Sequence, residues 1–221
     1  MKLILFISVA LISISSIFGQ EPILKNELDS LSYSLGYSIG RDLQKSNINE
    51  INAAVFAKSL SDYLNNENFE MSVSEIDNFL RQYFTDLKMK IAQINLEKGM
   101  KFMEENLKNE GITELESGLQ YKILQEGEGV SPNATNKVVC HYRGTLIDGT
   151  VFDSSYDRGQ PVEFPVNGII QGWTEALQLM KAGSKWMLYI PPNLAYGERG
   201  AGNNIGPNES LIFEVELIEI K

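Results

Sequence analysis

The hydrophobic pattern changes its period once along the chain. From about 27 to 110, apolar residues recur at threes and fours, the spacing of one helix face. Leu28, Leu31, Leu35 and Ile39 form one stripe, and Phe56, Leu60, Tyr63 and Leu64 mark a second helix. The segment "SVSE" at 72–75 has the form of a capping box, with Ser72 three residues ahead of Glu75. Behind it Leu80, Phe84, Leu87, Ile91 and Ile94 predict a long third helix towards Asn109, with Gly111 as its stop. At a rise of about 1.5 Å per residue this helix would span about 50 Å. Two short helices cannot cover its stripe. Either a second chain packs across 27–95, or the helix is a stalk; the alternative to a dimer is a monomeric helical bundle packed on the next domain.

From about 117 the period is two. Leu119, Tyr121 and Ile123 alternate with Gln120 and Lys122, and Val138, Cys140 and Tyr142 alternate with Val139, His141 and Arg143. Trp186, Leu188 and Ile190 repeat the pattern, as do Leu211, Phe213, Val215 and Leu217 near the C-terminus. These read as half-buried antiparallel strands. Asp148-Gly149 predicts a type I′ hairpin turn. Within this half only 174–180 reads as helix, with Ala176, Leu177, Leu179 and Met180 turned inward. The fold class is therefore α+β. An antiparallel sheet wraps round one short helix at 117–221, preceded by an all-α domain at 21–110 with a long connecting helix.

The first twenty residues add a destination. Lys2 precedes a nearly unbroken apolar run from 3 to 14, followed by Ser15, Ser16 and Gly19. This is the pattern of a signal peptide cleaved near Gly19 or Gln20. It predicts an exported protein, periplasmic or else outer-membrane-associated or secreted, without stable membrane insertion after cleavage. Export favours disulfides, yet Cys140 is the chain's single cysteine and no intramolecular bridge can form. The formal net charge of −10 argues against nucleic acid as a partner.

The inventory of reactive groups is short. There is one histidine, His141, and it neighbours Cys140 on a strand, so the two side chains point to opposite faces. Neither a nucleophile–base pair nor a metal-ligand cluster emerges, and the sequence implies no cofactor and no metal. A reaction suited to so few groups is rotation about the X–Pro peptide bond. Its barrier of about 20 kcal/mol reflects amide resonance, and a dry pocket with a few hydrogen bonds can favour the twisted amide.

Four stretches, "VVCHYRGTLIDGTVFDSS", "GIIQGWTEALQLMKAGSKW", "PPNLAYGERG" and "ESLIFEVELIEI", resemble the FKBP-type peptidyl-prolyl cis-trans isomerases over 117–221. The helical half is similar to the subgroup typified by the macrophage infectivity potentiator. The resemblance implies a five- or six-stranded sheet round one helix, and a pocket of aromatic and aliphatic side chains. It assigns walls to Tyr142, Phe152 and Asp153, and a rim to Ile169 and Ile170, where the Ile170 N–H holds a substrate carbonyl. Trp173 becomes the floor under the proline ring. Tyr196 offers its hydroxyl, Phe213 closes the pocket, and Ile205 sits in an overhanging loop at 200–208. Arg158 either pairs with Asp153 at the edge of the substrate site or is simply solvated. Val162 occupies a place where many members carry an aromatic. With the polar loop, this predicts a more open pocket and weaker hold on macrolide inhibitors.

The partners so implied are proline-containing unfolded or partly folded polypeptides and a second copy of the chain. The alternative is a chaperone or peptide-binding module in which turnover is incidental.

Overall fold

The computed structural model describes residues 24–221; the predicted signal peptide lies outside them. The chain divides into two compact units, the first ending at Met71 and the second spanning Ser72–Lys221.

The first unit contains helices α1 (Glu27–Lys45) and α2 (Ala53–Asn65). Asn26 caps α1 by accepting from the Asp29 N–H, and Asn52 caps α2 by accepting from Ala54 and Val55, which satisfies donors that a helix start leaves free. α1 has no buried residue. Its predicted stripe is open to solvent, with Leu28 68% exposed and Leu31 and Leu35 each 54%.

The second unit opens with α3 (Val73–Asn106), whose N-terminus carries the full capping box between Ser72 and Glu75. The helix ends three residues before Asn109. There the Asn109 N–H bonds to the Asn106 carbonyl and Lys108 to Glu105, both one residue too tight for an α-helix. Along its first half Phe79, Leu80, Tyr83 and Phe84 are all exposed.

The sheet follows as β1 (Ile112–Glu114), β2 (Gln120–Gln125), β3 (Lys137–Leu146), β4 (Val151–Ser154), β5 (Val162–Pro165), β6 (Lys185–Ile190) and β7 (Leu211–Ile220). All pairings are antiparallel, in the order β1-β2-β6-β7-β3-β4, with β5 paired to β3 beside β4. These seven strands exceed the five or six expected. The three-residue β1 extends one edge, and β4 and β5 pair separately with β3. Helix α4 (Gln171–Leu179) fills the concave side. Ala176, Leu177 and Met180 are fully buried there with Val138, Cys140, Leu188, Val215 and Leu217. Leu179 does not join them and is 47% exposed. Burial pushes the Cys140 thiol up to about 12, so it is an inert apolar group at neutral pH.

Two local readings change. The β3–β4 connection is not a type I′ turn. Asp148 keeps a negative φ and only Gly149 is left-handed, at φ 88°. Gly149 N–H bonds to Leu146 O, and Leu146 N–H to Thr150 O, which is a type I turn closed by a glycine bulge. Asp148 stabilises it by accepting from the Thr150 N–H at 2.9 Å. Gln120 belongs to the polar face by period, yet it is fully buried. It donates to Met103 O at 3.0 Å and accepts from the Asn106 amide at 2.9 Å. The C-terminal end of α3 covers that face, and the amide satisfies polar groups that water would otherwise reach.

Candidate active site

The cleft lies between the concave face of the sheet, the N-terminus of α4 and the loop before β7. Its floor is Trp173, in the first turn of α4 and only 5% exposed. The rings of Tyr142, Phe164 and Phe213 meet it edge-on, with centroids 5.4, 5.4 and 5.2 Å away. Such perpendicular contacts set the positive ring edge of one partner on the negative face of the other. β3 supplies Tyr142, β5 Phe164 and β7 Phe213, so three strands converge on one indole. Phe152 of β4 adds a further edge contact to Phe213 at 5.4 Å. Gly144 makes this approach feasible: a Cβ there would lie 2.6 Å from the Phe152 ring and 2.7 Å from Phe213.

One wall is polar. The Tyr142 hydroxyl donates to Asp153 Oδ2 at 2.5 Å and accepts from Arg158 Nη2 at 2.7 Å. Arg158 Nη1 donates to Asp153 Oδ1, and the guanidinium lies 5.5 Å from the centre of the Tyr142 ring. Burial works against ionisation of Asp153, but the hydrogen bonds from Tyr142 and Arg158 together hold its carboxyl below its ordinary value. Burial, followed by the bond to Asp153, pushes the Tyr142 phenol up. At neutral pH the wall is thus carboxylate and phenol, braced by the Arg158 guanidinium.

This arrangement has a pH signature. Because the folded-state pKa of Asp153 is depressed, its stabilising contribution is complete above the unfolded value of about 4. It disappears as pH falls through the folded value. The melting temperature of the parent minus that of Asp153→Asn should stay constant from pH 7 to 5 and shrink below about pH 4. A difference that shrinks already between pH 7 and 5 would contradict the depressed carboxyl.

The cleft has a volume of about 640 Å³ and is lined by Tyr142, Phe152, Asp153, Ile169, Ile170, Trp173, Tyr196, Ile205 and Phe213, all singled out from the sequence. Phe164, Gly168 and the loop 201–204 complete it. The Ile170 N–H, at the N-cap of α4, and the Tyr196 hydroxyl make no hydrogen bond among the described residues. Burial also pushes the Tyr196 phenol up. Arg158 and Val162 do not line the cleft. Arg158 braces Asp153, and Val162 pairs with Cys140 on β3. Phe164 is the lining aromatic that the sequence motifs do not single out. It stands two positions after Val162 on the same strand face, so the alternation of β5 is the signal that finds it.

A flat apolar floor, edge-on aromatic walls, one fixed carboxylate and free donors at the rim make a site for a small apolar ring bearing carbonyls, without an activated nucleophile. Comparison with known proteins defines the class. Residues 128–218 match the family model described as FKBP-type peptidyl-prolyl cis-trans isomerase, and residues 28–123 match the domain amino terminal to it. The chain is 45% identical to the FKBP-type 22 kDa peptidyl-prolyl cis-trans isomerase of Escherichia coli K12, over 86% of this chain and 93% of that protein. It is 44% identical to the peptidyl-prolyl cis-trans isomerase Mip of Coxiella burnetii, over 98% of this chain and 96% of that one. The crystal structure of FkpA from Escherichia coli superposes with a TM-score of 0.68 at 35% identity, covering 90% of this chain and 98% of that one. The chain belongs to the FKBP-type peptidyl-prolyl cis-trans isomerases and is an enzyme of that class.

Proposed function

We propose that this isomerase is exported and speeds proline-limited folding of other exported polypeptides, with the cleft on Trp173 as its active site. The observation that carries this reading is the convergence of Tyr142, Phe164 and Phe213 edge-on upon one buried indole. Catalysis then needs no proton transfer. The planar amide is stabilised by a charge-separated resonance form, and a dry aromatic cavity disfavours that form relative to the twisted one. The Asp153 carboxylate opposes negative charge on the imide carbonyl. The N–H of Ile170 and the hydroxyl of Tyr196 hold neighbouring carbonyls while the bond turns. Phe152, Ile169, Ile205 and Phe213 enclose the proline, with Val162 and Arg158 at the margin. Uncatalysed X–Pro isomerisation takes tens to hundreds of seconds, slow enough to limit folding.

Export rests on the apolar leader, and a relative from Legionella longbeachae, 42% identical, bears the name outer membrane protein MIP. No described helix is long and apolar enough to cross a membrane. Dimerisation rests on the first unit. A helix such as α1, with an apolar stripe and no buried residue, is incomplete without a partner surface.

The test is a proline-isomerisation assay on the purified chain, with its solution mass measured beside it. Acceleration of a proline-containing peptide, and a mass of two chains that falls to one on removal of the residues through Met71, are expected. No acceleration by a folded chain would reject the active-site assignment, and a single-chain mass would reject dimerisation. The exposed Phe79, Leu80, Tyr83 and Phe84 of α3 favour an added holding activity for unfolded clients. If they hold clients, replacing these four by serine lowers protection against aggregation and spares short-peptide turnover.

A further inference from the structure

The overhanging wall of the cleft is fastened from the far side. Ala201 and Ile205 double back on each other, with Ala201 N–H to Ile205 O at 2.9 Å and Ile205 N–H to Ala201 O at 3.2 Å. Both line the cleft, and Ile205 is 8% exposed. The chain then leaves the cleft and lands on α3. Asn95 Nδ2 donates to Pro207 O at 2.9 Å, and Asn208 Nδ2 donates to Ala92 O at 3.4 Å. One turn further along α3, Gly99 lies against Ser210, where a Cβ would come 2.3 Å from the serine hydroxyl. A glycine inside a long helix is unfavourable relative to alanine, and this close approach is what it permits.

One loop therefore has an end in the cleft and an end on the helix. Gly200 precedes the cleft end, Gly202 lies within it and Gly206 joins it to the helix end, so an unfastened loop would sample many conformations. Ordering such a loop on substrate binding weakens affinity, and fastening it beforehand removes that cost. The bonds to α3 do not touch Trp173, Tyr142 or Asp153, where the amide rotates.

We propose that Asn95 is a positioning residue for the isomerase. Through Pro207 it holds the loop that presents Ile205, so helix α3 sets the affinity of the cleft for its prolyl substrate. This rests on the assignment of the cleft above.

The experiment uses the full chain, its variants and a proline-containing tetrapeptide. Asn95→Leu keeps the size of the side chain and removes the donor. Asn208→Gly removes the second tether while suiting the left-handed φ of 54° at that position. Each should raise KM about five-fold with kcat within about two-fold, while the melting curve confirms folding. Asn95→Gln, which keeps an amide, should restore much of the loss. In an Ile205→Ala background, Asn95→Leu should add little, because both act through one contact. An active parent with unchanged KM in both tether variants overturns the proposal. So does full additivity with Ile205→Ala. A parent that does not accelerate isomerisation overturns the cleft assignment itself, a result distinct from either of these.

Discussion

Trp173→Ala should cost the second unit about 3–5 kcal/mol of stability, the range for emptying a large buried aromatic site, and should lower turnover more than about ten-fold. The indole is 5% exposed and is the common neighbour of Tyr142, Phe164 and Phe213. Removing it takes a contact from each of three rings supplied by three strands, and β3, β5 and β7 cannot all close on the void. Domains of this size have about 5–15 kcal/mol in total, so the variant should fold yet melt well below the parent. Its urea midpoint should fall by roughly 2 M if the slope stays at about 1–3 kcal/mol per M. Trp173→Phe should recover much of both effects, because a smaller flat ring still offers a floor. Turnover must be measured where the variant is fully folded. A normal rate there would mean the indole is core and not floor; an unchanged midpoint would mean the three edge contacts contribute nothing.

Much of the core is legible in the amino-acid sequence. Val138, Cys140, Leu188, Ile190, Phe213 and Val215 alternate along the chain and are buried in the fold. Alternation works because a strand covered on one side must place every second residue inward. The same rule fails at Gln120, whose strand is covered on both sides at that point. The second cover is α3, and its contact through Met103 and Asn106 reverses the reading of one residue. Asp148-Gly149 announces a tight turn, but the dipeptide does not fix its type. That depends on the φ of Asp148, which the bond to the Thr150 N–H helps hold on the ordinary side.

The cleft is legible through its motifs and hidden where local pattern is silent. Val162 stands out as a missing aromatic, yet Phe164 brings a ring to Trp173 from the same strand. Gly144 carries no local signal of its role, although two phenylalanine rings occupy the space that a side chain there would fill. The fastening of the loop by Asn95 joins positions 112 residues apart. No periodicity or turn signal reports a bond of that kind, since it depends on how a helix lies against a sheet.

Asp153→Asn is the second large effect expected, and it should fall on rate instead of stability. The substitution keeps the shape of the side chain and an oxygen for the Tyr142 hydroxyl, but removes the charge. Asp153 and Arg158 are each two-fifths exposed or more, and a partly exposed ion pair contributes little to folding. The melting temperature at neutral pH should therefore fall only slightly, by the small difference that vanishes below about pH 4. Turnover should fall on the order of ten-fold, a loss of ~1.4 kcal/mol of transition-state stabilisation. That loss has two sources. The carboxylate no longer opposes charge on the substrate carbonyl, and the Tyr142 hydroxyl, now bonded to a neutral acceptor, is less firmly fixed against the floor. Tyr142→Phe breaks the same network from the other side. If the three groups act as one unit, the double variant should lose scarcely more than the worse single one. Independent losses that multiply would show that carboxylate and phenol meet the substrate separately. Unchanged turnover in Asp153→Asn would reduce the whole wall to a brace for β4, and leave the aromatic floor and the Ile170 N–H to carry the isomerisation.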